Sequence, residues 1–129
     1  MRISIFLIII ALILSVFGCN GRNKTLEVTA SAYTSSIGET DSTPSLTAWG
    51  DTLKPGMKAI AVSRDLIKMG LSHGIQVSID GLDGQYIVLD KMNKRWTKKI
   101  DIYMGLDKKA AKEWGKKQVI IHWQNKPKP

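Results

Sequence analysis

Apolar and polar positions alternate along much of the chain. Over residues 26–33, Leu26, Val28, Ala30 and Ala32 share one face and Glu27, Thr29, Ser31 and Tyr33 the other, the period of two of a half-buried strand. Residues 57–62, 75–79 and 118–123 predict further strands, the second through Ile75, Val77 and Ile79. Tyr86, Ile87, Val88 and Leu89 form an apolar run that ends at Asp90, and Ile100, Ile102 and Met104 alternate with Asp101 and Tyr103. Two short helices fit between: residues 63–69, with Ser63 placed to cap and Gly70 ending them, and a stretch from a capping Asp107 to Trp114, stopped by Gly115. Residues 34–46, rich in Ser, Thr, Gly and Pro, read as a loop, and Pro55-Gly56, Asp80-Gly81 and Asp83-Gly84 as turns. Six short strands with one or two short helices predict a mainly β fold, a small barrel or sandwich.

A length of 129 residues allows one domain. Ahead of it, Arg2 and the apolar run 3–17 have the build of a signal peptide and are short for a membrane span. The expected organisation is a signal peptide over 1–18, a tether over 19–25, the β domain over 26–124 and a basic tail over 125–129. Val16-Phe17-Gly18-Cys19 resembles the lipobox of bacterial lipoproteins, which implies cleavage before Cys19 and lipid attachment to it. Cys19 is the only cysteine, so no intrachain disulfide competes for it. An ordinary secretory peptide or an uncleaved anchor are the alternatives, and each still exports the domain. In a two-membrane cell, Asn20 after the lipidated cysteine implies the outer membrane, facing the periplasm.

The net charge is +8, and removal of Arg2 leaves 18 basic against 11 acidic residues. That sign suits an anionic partner. Export argues against nucleic acid and for the cell wall as neighbour, although solubility alone also explains a surplus of this size.

His73 and His122 are the only histidines, His73 read as a loop residue and His122 as outward-facing on the last strand. With one cysteine there is no zinc-type spacing, and no glycine pattern fits a phosphate or dinucleotide loop, so neither a metal nor a cofactor is expected. Carboxylate chemistry remains. If residues 86–89 and 100–104 join one small sheet, Asp90 and Asp101 share a rim. The apolar strand before Asp90 and the charge of Asp101 favour a protonated Asp90, whereas Lys91, Lys94, Arg95, Lys98 and Lys99 oppose it by pairing. The plainer reading is a pair of ion-paired rim residues that fix the loop between them. Trp49 either stacks on a sugar or plugs the core.

Ala32-Tyr33-Thr34, Thr47-Ala48-Trp49-Gly50, Ile60-Ala61-Val62, Val88-Leu89-Asp90 and Ile100-Asp101-Ile102-Tyr103, in this order, resemble the three-aspartate domain of MltA-type lytic transglycosylases and small cell-wall proteins. The resemblance implies a six-stranded double-psi β-barrel that cleaves peptidoglycan without water, leaving a 1,6-anhydro-muramyl end. Asp90 matches the family's catalytic acid and base, and Asp101 the third aspartate beside it. The first aspartate falls at Ser63, with Asp65 two residues on, and the segment after the catalytic position reads Asp90-Lys91-Met92-Asn93 in place of aspartate-threonine-glycine-glycine. Tyr33, Thr47, Trp49 and Trp96 are the expected glycan-groove residues, with Lys94 and Arg95 meeting anionic groups of the polymer. A wall-binding or structural lipoprotein without catalysis is the second reading, and a membrane-tethered protein that docks a protein partner on its basic face the third.

Overall fold

The computed structural model describes residues 23–35 and 45–125. The expected signal peptide, Cys19 with its expected lipid and the last four residues of the expected tail lie outside them.

Six strands close into a barrel: β1 (Asn23–Tyr33), β2 (Ala59–Val62), β3 (Gln76–Ile79), β4 (Tyr86–Lys91), β5 (Lys99–Tyr103) and β6 (Lys117–Gln124). Around the barrel their order is β1-β5-β2-β4-β3-β6. Two parallel pairs, β1 with β5 and β2 with β4, interlock through antiparallel neighbours. The mainly β, six-stranded expectation is met, with two short helices, α1 (Arg64–Lys68) and α2 (Lys108–Trp114). β1 starts three residues before its expected beginning, because Asn23, Lys24 and Thr25 pair with Gln124, Trp123 and His122; these residues belong to the sheet and not to a tether.

The alternation seen in the sequence sorts the side chains. Val28, Ala30, Ile60, Val62, Val77, Ile79, Val88, Ile100, Ile102, Val119 and Ile121 turn inward and form the core. Burying one such aliphatic side chain is worth about 1.5–3 kcal/mol, and β-branched residues suit the pleated surface they pack on. A smaller apolar cluster of Leu53, Ala59 and Tyr103 sits on the outer face, with Tyr33, Met57 and Leu89 against it.

Both helices end as their sequences suggest, but only one is capped as expected. Asp107 accepts from the Ala110 N–H at 2.9 Å, and Gly115 closes α2 at φ +66°. Ser63 precedes α1 without a side-chain cap. Its buried hydroxyl instead accepts the Lys99 N–H at 3.0 Å, and its N–H donates to the Lys99 carbonyl. Asp65 accepts the neighbouring Lys98 N–H at 2.9 Å. Burial works to raise the Asp65 carboxyl, but its hydrogen bonds outweigh that and hold it below its usual value. Together Ser63 and Asp65 grip the start of β5, where Lys98 takes the left-handed φ of +44° that side chains other than glycine seldom adopt.

Candidate functional site

Register brings the two expected carboxylates onto one outer face. Ser31 pairs with Asp101 across β1 and β5, Asp101 with Ala61 across β5 and β2, and Ala61 with Asp90 across β2 and β4. Strict alternation after the inward Val88 would send Asp90 into the core. A bulge prevents this: Ile60 pairs with Val88 but Ala61 with Asp90, so Leu89 is an extra residue and Asp90 turns to the outer face. With strands spaced about 4.8 Å apart, the two aspartate Cα atoms are roughly 10 Å apart, separated by the single methyl of Ala61.

The environments of the two carboxyls differ. Asp101 is half-buried, and desolvation pushes its pKa up to about 6 against the opposing Ser31 hydroxyl and Lys99 ammonium, with the Asp90 charge adding to the rise. The Ser31 hydroxyl donates to Asp101 Oδ1 at 3.2 Å. Asp90 receives two backbone N–H groups on Oδ1, from Ala48 at 2.8 Å and Lys91 at 2.9 Å. Neither is ion-paired among the described residues, whose ion pairs are His73–Asp51 and His122–Asp80. Desolvation bears on Asp101 through the closure of the barrel around β5, not through a run of apolar residues immediately before it.

Three basic side chains at and between the ends of β4 and β5 lie over tryptophan faces. Lys91 Nζ lies 5.8 Å from the Trp49 ring centroid. Lys99 Nζ and the Arg95 guanidinium lie 3.7 Å and 4.8 Å from that of Trp96. The two tryptophans therefore flank the row, Trp49 on the Asp90 side and Trp96 on the Asp101 side. Trp49 is half-buried against the core, the second of its two expected readings in part, and also meets His73 edge-on at 5.1 Å. Lys94 is exposed on the connecting loop, and Arg95 stacks rather than standing free.

Tyr33 and Tyr103 lie one step along the same face, with ring centroids 5.5 Å apart. The Tyr103 hydroxyl shares a 2.8 Å hydrogen bond with Ser35, whereas the buried Tyr33 hydroxyl has no partner among the described residues. Burial and the charges of Asp90 and Asp101 push the Tyr33 phenol far up, so it stays a neutral donor. Tyr33 thus keeps its polar end out of solvent, within electrostatic reach of both aspartates.

Thr47 corrects an expectation. It is 5 % exposed, and its hydroxyl accepts the Asp51 N–H at 2.9 Å, so it holds a loop together and does not line a groove. Residues that the sequence reading passed over complete this rim. His73 Nε2 meets Asp51 Oδ2 at 2.6 Å, and Thr47 and Asp51 close the turn from which Ala48 reaches Asp90. The Asp51-His73 contact spans 22 positions, and no local pattern announces it.

Ser63, at the position of the resemblance's first aspartate, is fully buried and bonds backbone, so this position supports β5 and does not open onto the row.

Comparison with solved structures finds the crystal structure of apo expansin from Clavibacter michiganensis, with a TM-score of 0.51 and 14 % sequence identity. The match covers 82 % of this chain and 52 % of the neighbour, so the chain spans about half of that protein's length. No family model matches the chain, and no curated protein matches it. The three-aspartate resemblance accordingly rests on the residue pattern alone, while the likeness in structure is one of fold: an expansin-like barrel of six strands.

Proposed function

We propose that the protein is an exported, lipid-anchored envelope protein that cleaves the glycan strands of peptidoglycan at the Asp101-Ala61-Asp90 row. The observation that carries this reading is the pair of carboxylates without ion-pair partners on one face, one of them half-buried and with its pKa raised to about 6. A glycan-cleaving site needs one carboxyl that keeps a proton near neutral pH and a second group in a different environment. The resemblance gives the proton to Asp90; burial supports giving it to Asp101. In this reading Asp101 protonates the glycosidic oxygen as the C1–O bond breaks, and the carboxylate so formed takes the proton of the sugar's 6-hydroxyl as that oxygen closes on C1. Asp90, held by Ala48 and Lys91, faces the positive charge that develops at the anomeric carbon. The net charge of +8 suits the anionic wall.

The departures at Ser63 and at Lys91-Met92-Asn93 favour one further reading, a barrel that binds the same polymer without cleaving it. Mass spectrometry of purified peptidoglycan incubated with the protein separates the two. Wild type should release anhydro-muramyl products, with a rate that falls as pH rises through about 6, and Asp101→Asn should lose at least about 100-fold of that rate. Loss in Asp90→Asn with full activity in Asp101→Asn would return the acid to Asp90. Intact glycan from folded wild type would leave the binding module.

A further inference from the structure

A second polar surface lies on the seam away from the carboxylate row, where β6 closes the barrel between β1 and β3. Register aligns Thr25, His122 and Ser78 in one outward row. Asn23 and Gln124 form the next row, beside Gln76, which lies two residues before Ser78 on β3. None of these six is a lysine, an arginine or a carboxylate, in a chain with 19 basic and 11 acidic residues. Several are fixed by one another. Gln124 Nε2 donates to Asn23 Oδ1 at 2.9 Å, and His122 lies between Thr25 Oγ1 at 3.1 Å and Asp80 Oδ1 at 2.9 Å.

The rows line a hollow of about 840 Å³ whose wall also includes Lys24, Gln85, Trp123 and Asn125. Two of these side chains hold unused hydrogen-bonding capacity. Trp123 is 4 % exposed, and neither its indole N–H nor Asn125 Oδ1, both buried, has a partner among the described residues. The two groups share a corner over Gly70, whose φ of +103° and missing side chain make the room; a Cβ there would run into the Asn125 amide and the indole edge.

We infer that this seam is a binding site for a neutral saccharide, separate from the carboxylate row. Carboxamides present a donor and an acceptor on one flat group, which matches adjacent ring hydroxyls and acetamido groups. Asp80 on one side and Lys24 as the one cation in the wall give an anion no preference here. The site grips the polymer away from the point of cleavage, and it stands whether or not Asp101 is catalytic.

The test is an NMR titration of the isotopically labelled full chain, held in detergent micelles, with an N-acetylglucosamine tetramer. The Trp123 indole and the Gln76 and Gln124 side-chain amides should shift along one saturating curve. Gln76→Ala with Gln124→Ala should bind roughly tenfold more weakly. Ser78→Ala, a smaller change on the same face, should also weaken binding, and Asp101→Asn should leave it unchanged. Shifts confined to the surroundings of Asp101, no shift at all, or unaltered affinity in the double variant would each overturn the assignment. So would tighter binding of a sulfated oligosaccharide at the same residues.

Discussion

Asp101 is a charged residue in a place that favours its neutral form. Its carboxyl is raised to about 6 in the folded chain from an ordinary value near 3.8, so the native state holds the proton more tightly than the unfolded state does. The stability it contributes is fully present below about pH 4 and is lost as pH rises through about 6. A difference of about two pKa units corresponds to roughly 3 kcal/mol at most, and partial exposure reduces that to on the order of 1–2 kcal/mol. Asp101→Asn keeps an acceptor for the Ser31 hydroxyl and removes the ionisation. It should therefore melt several degrees above wild type at pH 8 and level with it at pH 4. Equal melting temperatures at both values would show that Asp101 is not desolvated. Stabilisation coupled to loss of turnover is the trade-off expected at a site shaped for chemistry rather than for stability.

At the scale of elements, residues 45–53 fold back on themselves through the Leu46-Thr52 bridge and the Thr47-Asp51 hydrogen bonds, and His73 latches them to the turn before β3. The Ala48 N–H that orients Asp90 depends on this latch. His73→Ala should speed exchange of the Ala48 amide by about tenfold while the β4 amides keep their protection, because only the hairpin loosens. Uniform loss of protection would mean that the latch belongs to the core. α1 acts on the other carboxylate: Ser63 and Asp65 hold Lys99 and Lys98, which start the strand that carries Asp101. The position where the resemblance expects an aspartate is thus filled by a residue that supports the same strand through its backbone.

For the whole molecule, closure pairs each of the six strands on both sides and distributes two different surfaces around one barrel. One carries the carboxylates, the flanking tryptophans and most of the basic loop; the other carries amides and hydroxyls. Their responses to salt should differ. Association with intact anionic peptidoglycan should weaken by an order of magnitude or so between about 50 and 500 mM salt, whereas saccharide binding at the seam should stay constant, since screening acts on exposed charges alone. Parallel salt dependence in both would merge the two surfaces into one site.

The sequence by itself determined the six strands and two helices, for alternation with a period of two and caps such as Asp107 and Gly115 are local properties of a few consecutive residues. It also singled out Asp90 and Asp101, each beside an apolar run. That the two share one outer face was decided by the tertiary structure, because the bulge at Leu89 and the pairing of Ala61 with both aspartates join residues far apart in the chain. The same holds for Thr47, drawn under its own loop, for Ser63, turned from a helix cap to a strand support, and for the Asp51-His73 latch. The amide rows were beyond local reading for the same physical reason: Asn23, Gln76 and Gln124 become neighbours only when the barrel closes, and closure depends on long-range register that no single stretch encodes.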